Sequence, residues 1–325
     1  MQRILITGGA GFIGSNLCEH FLNEGLAVRC LDNLLTGHKK NIAPFLDHPN
    51  FEFIEGDILD ENTCMMALED VDFVSHQAAL GSVPRSIDNP IRTNQINAQG
   101  FLNMLTLAKN AGVKRFVFAS SSSVYGDAAG SPKLEDEIGK PLSPYAVSKL
   151  TNELYGKVFY DLYGMETIGL RYFNVFGKNQ DPNGVYAAAI PKFIQLFMDE
   201  KAPTIYGDGS QTRDFTYVKN VIHANHCAVF SQNKNAFGQS FNVACGGSYT
   251  LNVVVDTIQQ KLIEAGKKIE HIQPIYAQMR KGDIKDSLAD INKISSLLGY
   301  SVQKTFNEGI DEYIQWYVNR PVKVG

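Results

Sequence analysis

The segment ITGGAGFIG, residues 6–14, constrains the fold more than any other part of this sequence. It begins inside the apolar run RILIT and leads into the amphipathic stretch SNLCEHFLNEG, so its glycines lie between a predicted strand and a predicted helix. Glycine permits the tight turn that joins the two elements and lets them pack closely. The segment therefore predicts a strand–turn–helix unit at the start of a parallel sheet.

The first half of the chain repeats this alternation. Further strand-like runs are AVRCLD, FEFIEGDI, VDFVSHQAA, KRFVFASS and ETIGLRYFNVFG, and helical patterns lie between them, notably at about 94–111 and 144–163. Strands that alternate with helices through right-handed crossovers form a parallel sheet covered on both faces. We expect an α/β fold with a Rossmann-type doubly wound parallel sheet.

The rhythm changes after residue 177, where polar, glycine-rich segments surround shorter helical patterns. This change predicts a smaller α/β C-terminal substrate lobe. We assign residues 1–173, with about 214–245, to a nucleotide-binding Rossmann domain. Residues 174–213 and 246–325 are assigned to the substrate lobe.

Composition excludes several classes of protein. With 44% apolar and 20% charged residues among 325, the chain is typical of a globular protein, and a net charge of −4 gives no indication of nucleic-acid binding. No apolar run reaches the length of a membrane span. Because strand-like sequence starts at Arg3, we expect no secretory leader before it. The five cysteines are widely spaced, which predicts neither a disulfide framework nor a metal site. We expect a cytoplasmic protein that does not bind membranes.

The glycine turn also carries chemistry. Glycines at 8, 11 and 14 let the backbone approach a pyrophosphate, which the N–H groups at the start of the following helix bind. Asp32 ends the second strand, 18 residues after Gly14, near the position where an acidic residue holds the adenosine ribose. A carboxylate there repels a 2′-phosphate, so the pattern predicts NAD rather than NADP.

Residues 143–150, SPYAVSKL, predict a helix start with Ser143 as the N-cap and Pro144 in the first turn. Tyr145 and Lys149 then lie one turn apart on one face. For a phenol to act as a base near neutrality, its pKa has to fall by about three pH units, about 4 kcal/mol, of which a nearby ammonium supplies about one to three units. We therefore predict that Lys149 lowers the pKa of Tyr145.

Residues 119–126, ASSSSVYG, place four hydroxyls where a buried strand ends. Turn chemistry alone indicates only a polar strand end. The Tyr145–Lys149 pair lies some 24 residues after this serine run, within the predicted dinucleotide fold, and this context favours a catalytic pair over two surface residues.

At this point the chain resembles the extended short-chain dehydrogenases that act on nucleotide sugars. GGAGFIG, Asp32, SSSSVYGD, SPYAVSK, LRYFNVFG, GDGSQTRDF and RKGD occur in the order of that family and cover essentially the whole chain. The strings AALGSVPRSI, KPLSPYAVSK, RYFNVFGKNQDPNG, YAAAIPKFI and SLADI resemble the bacterial UDP-N-acetylhexosamine 4-epimerases.

The glycine turn and the resemblance together predict an NAD site. Its expected residues are Gly8, Gly11, Phe12, Ile13, Gly14, Asp32, Asn33, Gly37, Asp57, Ile58, Gln77, Ala78, Ala79, Asn97, Tyr145, Lys149 and Tyr172. The resemblance makes Tyr145, Lys149 and Ser121 the catalytic residues, with Ser121 relaying a proton between the sugar O4 and the phenol. The dehydratase and decarboxylase relatives carry an acid after that hydroxyl, whereas this chain has Ser122 and Ser123, so elimination lacks its catalyst.

The resemblance also implies a UDP-sugar site. In it, Arg213 and Arg280 clamp the diphosphate, Asp283 holds the uridine ribose, and Ser287 stands where epimerases restricted to non-acetylated sugars carry a tyrosine. A serine there leaves room for an acetamide, although a solvated residue without this role remains an alternative. The full set of expected substrate contacts is Gly81, Ser82, Arg85, Ser121, Ser122, Ser123, Tyr145, Asn174, Ala189, Phe193, Tyr206, Arg213, Arg280, Asp283 and Ser287.

The implied reaction is the NAD-dependent, reversible inversion of C4 in UDP-N-acetylhexosamines, or their uronates, through a 4-keto sugar. Two alternatives stay open: another nucleotide-sugar enzyme, such as a 4,6-dehydratase or reductase, and a non-catalytic NAD-sensing module. The resemblance further implies a homodimer through the helices around 94–111 and 144–163. Leu150, Leu154, Val158 and Leu162 form a stripe there that is equally compatible with a core position.

Overall fold

A computed structural model describes residues 1–183, 187–278 and 286–320. Its centre is a sheet of seven parallel strands in the order β11-β6-β5-β4-β1-β2-β3. The strands, in chain order, are β1 Arg3–Thr7, β2 Ala27–Asp32, β3 Phe51–Glu55, β4 Phe73–His76, β5 Arg115–Ser121, β6 Glu166–Tyr172, β7 Val175–Phe176, β8 Thr204–Tyr206, β9 Thr212–Arg213, β10 Thr216–Tyr217, β11 Gln239–Val243, β12 Tyr249–Thr250, β13 Ile275–Ala277 and β14 Asp286–Ser287.

Helices cover both faces of the sheet and, with the short strands β7–β10 and β12–β14, form the smaller elements beside it. They are α1 Phe12–Asn23, α2 Lys39–Ile42, α3 Glu61–Ala67, α4 Val83–Asp88, α5 Pro90–Asn94, α6 Phe101–Asn110, α7 Pro144–Tyr163, α8 Ala189–Met198, α9 Val218–Phe230, α10 Leu251–Glu264, α11 Asn292–Leu298 and α12 Phe306–Asn319. The doubly wound parallel sheet predicted from the sequence is confirmed.

The strand order reverses beside β1. The chain runs outward through β1, β2 and β3, then returns to place β4 on the other side of β1 and continues through β5 and β6. In doubly wound sheets, ligands bind at the carboxyl ends of the strands where this reversal opens a crevice. The ends of β1, β2, β4 and β5 therefore mark the place to look for a site.

Apolar side chains on both faces of the sheet form two cores. One includes Ile4, Val28 and Val117 and packs α1 and α9 on one face, while the other includes Leu5, Val74 and Phe116 and packs α3 and α6 on the opposite face. Strands buried on both faces require near-continuous apolar runs, which is why RILIT and RFVFA lack alternation.

A third core joins the smaller elements after β7. It gathers side chains from α8, α10 and α12, among them Phe197, Ile258 and Ile310, next to the short pairs β13–β8 and β10–β7. β11 crosses back to the edge of the main sheet beside β6. The division of the chain into two domains at the residues given above stays a prediction.

Two predicted elements are interrupted. The helical pattern at about 94–111 forms α5, a π-helical turn over Gln95–Gly100, and α6. The run ETIGLRYFNVFG breaks into β6 and β7 at Asn174, which has φ of 35°. No helix within the described part of the chain has the length and apolar character of a membrane span.

Candidate active site

The glycine turn has the geometry that binds phosphate. Gly8 has φ of 67°, a conformation that residues with a side chain rarely adopt, and α1 begins after Gly11 without a side-chain cap. A Cβ on Gly14 would lie 2.1 Å from the Gly8 carbonyl oxygen, so no larger residue fits. The N–H groups in the first turn of α1 thus face the end of β1 and are available to an anion.

Asp32 ends β2 beside this turn. Its carboxylate accepts hydrogen bonds from the backbone N–H groups of Ala10, at 2.9 Å, and Leu34, at 2.8 Å. Burial raises the pKa of this carboxyl, while those N–H groups act in the opposite direction. Each carboxylate oxygen accepts more than one hydrogen bond, so both remain able to accept ribose hydroxyls.

A cavity of about 750 Å³ runs from this turn to the start of α7, within the size range of small-ligand sites. It is lined by most residues of the predicted NAD site: Gly8, Gly11, Phe12, Ile13, Gly14, Asp32, Asn33, Asp57, Ile58, Gln77, Ala78, Ala79, Tyr145, Lys149 and Tyr172. The predicted substrate contacts Gly81, Ser82, Arg85, Ser121 and Asn174 line it as well.

The candidate catalytic residues meet at one end of this cavity. Ser121 is the last residue of β5, and Ser143 caps α7 by accepting the N–H of Ala146 at 3.1 Å. That cap sets the helix so that Tyr145 lies in its first turn, where the Ser121 hydroxyl acts to lower the pKa of the phenol. Lys149 follows one turn later, and its ammonium donates to the Ala119 carbonyl at 2.7 Å.

The pKa of Tyr145 differs from the sequence prediction, which was that Lys149 lowers it. The pKa of Tyr145 is raised rather than lowered, because burial outweighs the opposing effect of the Ser121 hydroxyl. Burial also lowers the pKa of Lys149 to about 8, against the opposing charge of Glu153. Lys149 stays mainly protonated at neutral pH, yet its ammonium lies 6.0 Å from the centroid of the phenol ring.

Two predicted NAD residues lie behind the cavity lining. Asn97 donates to and accepts from the Leu80 backbone, at 3.1 and 2.7 Å, and also donates to Ser148 at 3.2 Å. It therefore braces α7 instead of facing the cavity. Gly37 is buried against Asp32, and a Cβ at this position would lie 2.8 Å from the carboxylate. The absence of a side chain at Gly37 therefore leaves room for the Asp32 carboxylate.

Tyr172 is held in place on the cavity wall. Its hydroxyl donates to Gln77 at 3.1 Å and accepts from Asn225 at 2.9 Å. Burial raises the pKa of Tyr172 to about 12, so the phenol stays neutral. Asn225 belongs to α9, so its hydrogen bond to Tyr172 connects that helix to the cavity wall.

A buried ion pair supports the catalytic helix, and the sequence reasoning missed it. Glu153, one turn after Lys149, accepts two hydrogen bonds from Arg171 on β6, at 2.9 and 2.7 Å, and also accepts the Ser120 hydroxyl. Arg171 in turn donates to the Tyr125 hydroxyl at 3.0 Å. Glu153 continues the spacing of Tyr145 and Lys149 along α7, which is the one signal that could have indicated it.

Consecutive serines therefore face different partners. Ser121 faces Tyr145 and Ser120 faces Glu153, as alternation along a strand requires. Ser122 and Ser123 begin a short 3₁₀ turn, partly buried and outside the lining of the cavity, with the Ser123 N–H donating to Ser121. This placement does not match the substrate contacts predicted for those two serines.

The remaining predicted substrate residues are spread over the second part of the chain. Asn174 donates to the Asp214 carbonyl at 2.9 Å, and Arg213 on β9 lies opposite Ser287 on β14. Phe193 is buried in the third core, and Ala187 and Ala188 rather than Ala189 line the cavity. Tyr206 is partly buried on β8. Arg280 and Asp283 lie outside the described residues.

Further residues that had not been predicted also line the cavity, among them Thr36, Leu80, Ala119 and Val175. Ala119 shares a strand face with Ser121, so strand alternation could have indicated it. Val175 directly follows the predicted residue Asn174, so its position next to that residue could have indicated it. For Thr36 and Leu80, only the folded loops bring them to the site.

A parallel sheet with a glycine-rich phosphate turn, a buried acid after β2 and a Tyr–Lys pair on a helix define a dinucleotide-dependent enzyme. Residues 4–244 match the family model of the NAD dependent epimerase/dehydratase family. The chain belongs to this family of extended short-chain dehydrogenases, and its cofactor is NAD.

Relatives are similar along the whole chain. A UDP-glucose 4-epimerase of Mycolicibacterium smegmatis is 33% identical over 98% of this chain and 99% of its own. The structure of a UDP-N-acetylglucosamine 4-epimerase from Methanobrevibacter ruminantium, in complex with UDP-N-acetylmuramic acid, is 38% identical with a TM-score of 0.91, covering 98% and 99% of the two chains. A dTDP-glucose 4,6-dehydratase from Streptomyces venezuelae with NAD bound is 29% identical with a TM-score of 0.87, covering 98% of each chain.

Proposed function

We propose that this chain interconverts the C4 epimers of UDP-N-acetylhexosamines. Tyr145 takes the proton of the sugar O4, Ser121 relays it, and Lys149 places a positive charge beside the developing phenolate. When bound, NAD would be held by the glycine turn and Asp32 and would supply the hydride chemistry at C4. The residues of the chain bind and orient the substrate, and they move the proton.

One observation favours epimerisation over dehydration. Among the described residues that line the cavity, the carboxylates are Asp32, Asp57 and Asp181. Asp57 accepts from Asn33 at 2.9 Å, and Asp181 lies 3.6 Å from His38, so all three belong to the Asp32 end. No described lining carboxylate accompanies Ser121 and Tyr145, and loss of water from C5 and C6 needs such an acid.

The preference for an acetamido sugar is supported by Ser287. This small, partly buried residue stands beside Arg213 on paired strands, and Arg213 is our candidate for a diphosphate clamp. A side chain of this size leaves volume next to the sugar for a group at C2. The similarity to a UDP-N-acetylglucosamine 4-epimerase agrees with this proposal.

The test is to incubate the purified chain with UDP-GlcNAc, UDP-glucose and UDP-glucuronate separately, without added reductant, and to resolve the products. We expect UDP-GalNAc from UDP-GlcNAc, with no net NADH and no loss of water. A 4-keto-6-deoxy product would identify a dehydratase instead. Epimerisation confined to UDP-glucose or UDP-glucuronate would contradict the proposed specificity for acetamido sugars. The absence of any turnover would favour an NAD-sensing module.

We also propose a homodimer through α7. Leu154 and Leu162 are 61% and 67% exposed on this helix, and Ile87 and Ile91 are 61% and 73% exposed on α4 and α5, which pack against it. Leu150, by contrast, is partly buried against the core around Val124. Large apolar side chains exposed together favour a second copy of the chain as the partner.

The oligomeric state tests this surface directly. Sedimentation of the native chain should give a dimer, and Leu154→Glu should shift it toward monomer because a charge in an apolar interface is costly. Met65→Glu, at a half-exposed position on α3, is the matched control and should remain dimeric. Monomeric native protein would contradict the proposal.

A further inference from the structure

Two histidines contact each other where α1 packs against α9, on the side of these helices that the catalytic site does not use. His20 Nε2 lies 3.1 Å from His226 Nδ1, and the ring centroids are 5.2 Å apart at 70°. Each ring packs edge-on against an aromatic neighbour, His20 on Phe21 and His226 on Phe230. These ring contacts restrict both imidazoles, and one nitrogen of each ring faces the other.

Glu24 completes the cluster at the C-terminal end of α1. One carboxylate oxygen and the two imidazole nitrogens all lie within 4.8 Å of one another. Within the described chain, no other group of three histidine, cysteine or acidic side chains meets this condition. Histidine nitrogens and a carboxylate oxygen are ligands that Zn²⁺, Co²⁺ and other late divalent transition metals accept.

We propose that His20, Glu24 and His226 form a binding site for a divalent transition metal, with Zn²⁺ as the best-fitting ion. In a tetrahedral site with metal–nitrogen bonds of about 2.0–2.1 Å, two nitrogen ligands lie about 3.3 Å apart. The observed 3.1 Å between the two nitrogens is close to that separation. The carboxylate oxygen lies within 4.8 Å of both, on an exposed side chain that can move toward the ion. Water fills the fourth position, as in other sites with three protein ligands.

The proton balance is simple. In the metal-free pair, one of the two facing nitrogens carries a hydrogen and donates it to the other. On binding, that hydrogen moves through solvent to the second nitrogen of the same ring, so both facing nitrogens offer a lone pair. The ion therefore replaces a hydrogen bond between two neutral rings, and no net proton is taken up or released.

The position of the site indicates a structural role. None of the three ligands lines the described cavity. α1 begins at the phosphate turn, and Asn225, the residue before His226, holds Tyr172 and contacts Gln77 in the cavity wall. A metal at this position joins the far end of α1 to α9 and so stabilises two elements that carry the nucleotide site.

This site was not expected from the sequence, which predicted no metal. His20 and His226 are 206 residues apart, whereas spacing patterns reveal only ligands that are close in the chain. The simpler alternative is that the histidine pair is an ordinary contact between helices. The two interpretations differ in whether the carboxylate matters, because Glu24 forms no part of the hydrogen bond between the rings.

The experiment titrates the full chain, freed of any histidine tag, with Co²⁺ and follows the visible absorption typical of four-coordinate cobalt. We expect one Co²⁺ per chain, displaced by Zn²⁺, and a higher unfolding temperature with Zn²⁺ present. Loss of a partner outside the ligand set already weakens metal affinity about 10- to 100-fold. Glu24→Gln and His226→Phe should therefore weaken it at least tenfold.

His271→Gln is the matched control, because His271 is an exposed histidine outside the cluster. It should bind Co²⁺ as the native chain does. Absence of binding by the native chain, or equal affinity in Glu24→Gln, would overturn the proposal. Glu24 is exposed, so Glu24→Gln should fold and decides the question even if His226→Phe does not.

Discussion

The Lys149 ammonium lies 6.0 Å from the centroid of the Tyr145 ring and is anchored by a 2.7 Å hydrogen bond to the Ala119 carbonyl. Ala119 and Ser121 share one face of β5, so the strand that supplies the helper hydroxyl also holds the lysine. Burial dominates both groups, raising the pKa of Tyr145 and lowering that of Lys149.

Replacing Tyr145 with phenylalanine tests the proposed base. The ring keeps its packing and loses only the hydroxyl, so the NAD site should remain intact. General acid–base catalysis contributes about 10²- to 10⁴-fold, and kcat should fall by that order. Turnover of UDP-GlcNAc and the NAD content of the purified protein are the measurements. Tyr163→Phe, at the exposed end of the same helix, is the control and should be fully active. Substantial activity in Tyr145→Phe would remove Tyr145 from its role.

The lowered pKa of Lys149 makes a pH-dependent contribution to stability. Its pKa is about 8 in the folded chain against an ordinary value of 10.5. Between these values the unfolded chain binds the proton more tightly, so stability rises with pH across this window. Lys149→Met cannot titrate, and its stability relative to the native chain should fall by about 3 kcal/mol as pH rises from about 8 to about 10.5. Urea unfolding of both proteins at several pH values measures the difference, and parallel profiles would contradict it.

Glu153→Gln should destabilise the fold. The Glu153–Arg171 pair is buried, with side chains only 7% and 3% exposed, and removing one charge leaves the other without compensation. Such losses cost about 3–5 kcal/mol. The free energy of unfolding in urea is the measurement. Asp161→Asn breaks the exposed pair with Lys157 on the same helix and should cost less than about 1 kcal/mol. Similar costs for the two variants would show that burial of the pair has no special weight.

Ser287→Tyr tests the room for an acetamide. Forcing a large side chain into an occupied space costs about 1–3 kcal/mol, which corresponds to as much as two decades of discrimination. Turnover of UDP-GlcNAc should fall by up to that factor, while turnover of UDP-glucose is retained. Ser287→Ala removes the hydroxyl without filling the space and should keep both activities. Equal loss on both substrates in Ser287→Tyr would show that the residue does not discriminate at C2.

Local signals predicted the core of the fold well. β1, the glycine turn and α1 occur as expected, and so does α7 with its Ser143 cap, because each depends on residues close together in the chain. The break at Asn174 was not predicted. It requires φ of 35° and a hydrogen bond to the Asp214 carbonyl, 40 residues away, which no local pattern reveals.

The sequence by itself determined the parallel sheet, the NAD-binding turn and the spacing of Tyr145 and Lys149, because glycine conformations, apolar runs and helical periodicity are local properties. Only the tertiary structure decided that Glu153 pairs with Arg171, that Ser120 and Ser121 serve different partners, and that His20 meets His226. The tertiary structure also decided that the pKa of Tyr145 is raised. Burial is set by everything that packs around a group, and neighbours from distant parts of the chain determine it.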